Sequence, residues 1–191
     1  IVDYSNFGGA VTLGGSGDIA KGDVDAAGIG SLGNDAIANI QTIIGSATQT
    51  NTIDGQLNAA GNGSFVVNLA EEALTVNVST PNVGPFNFQV VNFDNVVGTD
   101  NNDVIFGNDN DNVFTGSSGF DFLNGGDGFD TADYSGLDTD ITLTATGLVN
   151  KGDLGIDLLR SINEVVADAG QTNTIDAAFG EIPQITADLG A

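Results

Sequence analysis

Between Gly98 and Asp133 large apolar residues return every nine positions. Written in nines, the stretch reads GTDNNDVIF, GNDNDNVFT, GSSGFDFLN and GGDGFDTAD, with no residue skipped. Glycine opens each row, at Gly98, Gly107, Gly116 and Gly125. The sixth place holds Asp103, Asn112, Asp121 and Asp130, and the eighth holds Ile105, Phe114, Leu123 and Ala132. Strand side chains alternate between two faces, so places seven to nine read as a short strand with its middle residue in a core. Two rows then make one coil of a stacked, parallel arrangement, with polar turns along both edges.

Other patterns repeat at longer range. DYS stands at Asp3–Ser5 and 130 residues later at Asp133–Ser135; KGD stands at Lys21–Asp23 and at Lys151–Asp153. QTNTID stands at Gln49–Asp54 and 122 residues later at Gln171–Asp176. The chain therefore reads as one unit of about 130 residues and the first part of a second, a slice of a tandem array. A half-repeat aligns NIQTIIGS (Asn39–Ser46) with NFDNVVGT (Asn92–Thr99). Each DYS precedes a β-branched run, VTL or ITL, and reads as structural rather than catalytic. The stretches 34–47 and 156–169 carry enough β-branched residues to read as extended, although 156–169 also fits a helical period. Three segments follow: 1–97 as a β-rich first half-unit, 98–133 as the nonapeptide region, and 134–191 as the start of a second unit.

Composition narrows the chemistry. Asp and Glu number 26 against three basic residues, Lys21, Lys151 and Arg160, for a formal charge of -23. Such a chain is repelled by nucleic acid and by anionic membrane surfaces. A hydrophobic content of 40% separates it from disordered acidic chains. With no Cys and no His, disulfides, thiolate metal sites and the usual general base are excluded. No apolar run is long enough to span a bilayer, so no membrane insertion is expected. The absence of Met marks the chain as processed or excerpted from a longer one. Paired aspartates can act as glycosidase acids, but with so few cationic or aromatic partners for a substrate the segment reads as no enzyme.

The four rows resemble the repeats-in-toxin family, the hemolysin-type nonapeptide G-G-x-G-x-D-x-U-x. NFDNVVGT resembles the family's usual entry into its repeats. The resemblance implies an all-β fold: a right-handed parallel β-helix or β-roll in solenoid-like tandem units, with Ca²⁺ as cofactor. It places one calcium between Gly98–Asp103 and Gly116–Asp121, and another between Gly107–Asn112 and Gly125–Asp130. Asp103, Asp121 and Asp130 are the implied carboxylate ligands, with Asn112 as a neutral oxygen donor. Gly98, Gly107, Gly116 and Gly125 lend turn carbonyls; Asp100, Asp109, Ser118 and Asp127 fill the third places. Asp94, sixth in a backward extension, marks a further site on the lead-in. Stacked carboxylates about 4.8 Å apart repel by about 3 kcal/mol at an effective dielectric of about 20. A hard cation that accepts six to eight oxygens reverses that sign.

The rows depart from the motif. Thr99, Asn108 and Ser117 hold the second place, where only Gly126 fits, and Asn101 and Asn110 hold the fourth. Asn tolerates left-handed backbone, so the turns are expected to survive. Places five, seven and nine should face outward, and they hold Phe120, Phe129, Val104, Val113, Phe122 and Phe106. Such a surface points to partners. The resemblance thus implies a calcium-binding structural module of a secreted cell-surface, matrix or filament protein. It would fold outside the cell on calcium and self-associate with neighbouring units or identical chains. An accessory module of a secreted enzyme and a glycan- or ice-binding adhesin are the competing readings.

Overall fold

A computed structural model describes residues 1–14, 18–22, 32–57, 63–78 and 84–176, together with the backbone of 186–188. It is all-β; the single helical turn among the described residues is a 3₁₀ turn at Gly152–Leu154. Strands are distributed over two long, mostly parallel sheets that share one apolar core.

The nonapeptide rows behave as their phase requires. Strands Asn95–Val97, Val113–Thr115 and Thr131–Tyr134 lie in one sheet, and Val104–Phe106 and Phe122–Asn124 lie in the other. The chain therefore changes sheet at every row. Pairing is parallel with an 18-residue register: Val104 faces Phe122, Phe114 faces Ala132, and Val96 faces Phe114. Each of these three-residue strands buries its middle residue alone, and Ile105, Phe114 and Leu123 are sealed in the core.

The stretches 34–47 and 156–169 are extended as expected, with strands Asn34–Ala36, Thr42–Ile44, Ile156–Arg160 and Glu164–Ala167. Three antiparallel meanders interrupt the parallel stack. They comprise Val11–Gly14, Asp18–Lys21 and Asn34–Ala36; Gly63–Asn68, Ala73–Val78 and Phe86–Val91; and Thr142–Thr144, Leu148–Asn150 and Ile156–Arg160.

The first and third meanders are structural copies. Ile19 faces Asp35 as Val149 faces Asp157. The Lys21 N–H donates to the Gly33 carbonyl as that of Lys151 does to Gly155. Gly22 and Gly152 share positive φ (78° and 61°), as do Gly33 and Gly155 (93° and 114°). Asp23, the last residue of the first KGD, lies outside the described residues.

The half-repeat is also real in the backbone. Asn39 and Asn92 both take φ 58°, and Ser161, at the head of SINEVVAD, takes 49°. Three segments thus enter their strands through the same left-handed corner.

Glycine at the first place of a row answers to crowding rather than to φ. A Cβ on Gly107 would run into the Gly125 carbonyl, and one on Gly125 into the Ser161 carbonyl. The left-handed glycines of the region are Gly119, Gly126 and Gly128. The turns at Asn101 and Asn110 survive as expected, and neither residue adopts positive φ. The turns they occupy form without it, and only the two later rows use left-handed glycine at the fourth place.

Candidate metal centre

All four sixth-place side chains turn inward and are buried: Asp103, Asn112, Asp121 and Asp130. Each of the three carboxylates uses one oxygen to accept a backbone N–H from the preceding coil. Asp103 Oδ1 accepts from Phe65 N at 2.6 Å, Asp121 Oδ1 from Asp103 N at 2.9 Å, and Asp130 Oδ1 from Asn112 N at 2.9 Å. The ladder continues beyond the rows through Asp157 Oδ1, which accepts from Asp121 N at 3.0 Å, and Asn163 Oδ1, which accepts from Asp130 N at 2.8 Å. Each such bond clips two coils together, and the anionic acceptor makes it stronger than a neutral one. The cost is a column of buried negative charge, and the fold answers it in three ways.

The first is self-contained. Asp103 Oδ2 accepts the Thr99 N–H at 2.6 Å, and the Thr99 hydroxyl lies 2.9 Å from Oδ1. Burial still pushes the carboxyl pKa up against these bonds.

The second replaces the charge by an amide. Asn112 Nδ2 donates to the Asp94 carbonyl at 2.7 Å, while its Oδ1 accepts the Asn108 N–H at 3.0 Å. Asn51 does more: Nδ2 donates to the carbonyls of Ser46, Gln49 and Asn92 at 2.8, 3.0 and 2.6 Å. Asn173, its counterpart 122 residues on, donates to the Asp168 carbonyl at 2.7 Å. In these loops an –NH₂ gathers the carbonyls that a cation would otherwise collect.

The third imports a cation. Lys151 is fully buried, and its ammonium spends its three donors on the Ser117 carbonyl (2.6 Å), Asp157 Oδ1 (2.5 Å) and Asp121 Oδ2 (3.2 Å). Tyr134 donates its hydroxyl to Asp157 Oδ2 at 2.9 Å. Two carboxylates share one ammonium. Burial and the Asp157 charge push Asp121 up to about 7. Burial and the same carboxylate push the Tyr134 phenol well above its ordinary value. Neither Lys151 nor Asp157 was singled out from sequence as a site residue. The repeat of KGD 130 residues apart, in a chain with three basic residues, was the available signal.

Asp130 has none of these answers. Its Oδ2 is buried and has no hydrogen-bond partner among the described residues. Burial raises its pKa, with Asp111 adding to the rise. Both Asp130 Oδ2 and the Ser161 carbonyl crowd the space beside the Gly125 α-carbon, so the two oxygens converge. A buried carboxylate oxygen left without a donor is costly unless a proton or a cation meets it. Ser117 Oγ is the other unpartnered buried side-chain polar atom among the described residues, and it sits against Gly98.

The remaining sequence candidates lie elsewhere. Asp100, Asp109 and Asp127 are exposed and Ser118 is half-buried. Asp100 Oδ1 accepts from Gln56 Nε2 at 3.1 Å. Asp94 Oδ2 accepts the Asn51 N–H at 2.9 Å. Among the described residues no three carboxylates converge on one point. A cation here would rest chiefly on backbone carbonyls.

Phe120 and Phe129 are exposed, as their places require. They lie in successive rows and hence on opposite edges of the stack. Phe106 and Phe122 pack against one another with centroids 5.4 Å apart and planes tilted by 59°, and both are half-buried. No protein-family model matches the chain, and no curated protein does. No helix among the described residues is long and apolar enough to cross a membrane.

Proposed function

We propose that this chain is a calcium-binding structural module of a secreted, tandem-repeat protein of the repeats-in-toxin kind. Its coil is a right-handed parallel β-roll, and it works at a cell surface or in an extracellular matrix or filament. The observation that carries the reading is Asp130. Its second oxygen is buried without a partner, and it converges with the Ser161 carbonyl at the second edge of a stack whose first edge holds a lysine ammonium. The residues fit a hard divalent ion there: one carboxylate oxygen, the Ser161 carbonyl, and the carbonyls of the turn that opens at Gly125.

The first edge is different. Around Asp121 and Asp157 the cation is supplied by Lys151, so the residues there do not call for a second one. The implied role of calcium is to lock the coil containing Asp130 onto the segment 161–164. Binding energy then becomes folding energy, because the ion favours only the stacked form.

The test is a calcium titration followed by calorimetry and by thermal melting, on the chain and on Asp130→Asn. A calcium-dependent rise in melting temperature that the substitution abolishes supports the reading. Equal responses in both, or none in either, would sink it.

A further inference from the structure

The buried cluster Tyr134–Asp157–Lys151 has a twin near the other end of the chain. Tyr4 donates its hydroxyl to Asp35 Oδ2 at 2.6 Å, and Lys21 Nζ lies 2.9 Å from Asp35 Oδ1. The twins agree in backbone as well. The Ser5 N–H closes a turn on Asp3 Oδ1 at 2.8 Å as that of Ser135 does on Asp133 at 2.9 Å. The Phe7 N–H returns to the Tyr4 carbonyl as that of Leu137 does to Tyr134.

They differ in what lies on top. Lys151 is fully buried because the turn 116–121 sits over it and supplies the Ser117 carbonyl and the Asp121 carboxylate. The strand Val113–Thr115 beside that turn pairs with Thr131–Tyr134, and Phe122–Asn124 pairs with Ile156–Arg160. At the twin, the Lys21 side chain is 22% exposed and that of Asp35 is 40% exposed. Val2–Asp3 and Asn34–Ala36, the counterparts of 131–134 and 156–160, stand last in their sheets among the described residues. Ile1 and Leu32, both exposed, flank this end.

We propose that the Tyr4–Asp35–Lys21 face is a docking surface for a nonapeptide coil of an adjoining repeat, a coil of the kind formed by 113–130. The occupant would bring a turn carbonyl and a sixth-place carboxylate to Lys21, as Ser117 and Asp121 bring them to Lys151. It would also add a parallel strand to each sheet. Charge complementarity selects it: the face offers an ammonium that meets one acceptor, Asp35, among the described residues, and the coil offers an acidic edge. The inference rests on the tandem-repeat part of the proposed function but not on calcium.

The test extends the chain by a copy of residues 98–130 placed directly ahead of Ile1, which preserves the 130-residue register. Lys21 and Lys151 are the only lysines, so amine labelling read by mass spectrometry reports each separately. In the chain as it stands, Lys21 should label and Lys151 should be protected. In the extended chain Lys21 labelling should slow about tenfold or more, since a buried amine reacts only through opening. Asp121→Ala in the added copy alone should restore most of the labelling. Unchanged Lys21 labelling in the extended chain, with Lys151 still protected, overturns the proposal, whether or not the added coil is itself ordered. Running both chains in calcium and in chelator separates this outcome from a failure of the calcium reading, which would show as no calcium response in either.

Discussion

The Lys151 ammonium lies 2.5 Å from Asp157 Oδ1, and solvent reaches neither side chain. Burying an ion pair is costly unless its remaining bonding capacity is met. Here the Ser117 carbonyl, Asp121, Asp103's coil through Asp121, and the Tyr134 hydroxyl meet it. The pair therefore joins the third meander to the nonapeptide stack, at a point where the repeat pattern alone would leave two carboxylates face to face.

Removing that ammonium should be among the more damaging single changes in the chain. Lys151→Met leaves two buried carboxylates without a cation and should cost about 3–5 kcal/mol. Asp121→Asn should cost about 1 kcal/mol or less, because it removes one of the two buried carboxylates while Lys151 keeps Asp157. Urea unfolding of both variants in chelator checks the ordering.

Asp130→Asn should behave in the opposite sense. An amide at this place can donate to a carbonyl, as Asn112 and Asn51 do in their own loops. In chelator the variant should gain about 1–3 kcal/mol, the penalty of an unsatisfied buried oxygen. In calcium the advantage should vanish, and the parent chain should overtake it. Paired melts in the two buffers measure this crossing.

The pH dependence follows from the raised carboxylates. Asp121 has an ordinary value of 3.8 and a folded value of about 7, so the folded state holds the proton more tightly. Its stabilising contribution is full below about pH 4 and is lost as pH climbs through about 7. Asp103 and Asp130 are shifted in the same direction by burial. In chelator, stability should fall by a few kcal/mol between those pH values. Calcium should flatten the fall, since the ion favours the ionised form of Asp130. Unfolding midpoints across the range, with and without calcium, test both statements.

Crowding at the first place of each row gives a further contrast. Gly107→Ala sets a methyl against the Gly125 carbonyl, which is backbone of the next coil and cannot swing aside. It should cost about 1–3 kcal/mol or more. Gly136→Ala meets nothing within 4 Å and sits at no left-handed φ, so its effect should stay within about 0.5 kcal/mol. Melting of the two variants under one condition separates close stacking from a general dislike of losing glycine.

The nine-residue beat was enough to place Ile105, Phe114 and Leu123 in the core and to set an 18-residue coil. It could do so because a three-residue strand leaves one inward position, and only a constant period stacks such positions on one another. The repeats DYS and KGD likewise announced a duplicated unit, and the backbone of the two meanders agrees to the level of matching left-handed glycines. What the beat could not say is where a sixth-place carboxylate finds its countercharge. Asp103, Asp121 and Asp130 share a sequence context, yet one is closed by a threonine, one by a lysine 30 residues away, and one by nothing among the described residues. That difference arises because the third meander reverses twice and carries Lys151 back over the turn 116–121, while the segment at Ser161 sets only a carbonyl beside the free oxygen of the Asp130 carboxylate. The local period determines the stack. The countercharge depends on which long-range segment lands on each edge, and only the tertiary structure decides that.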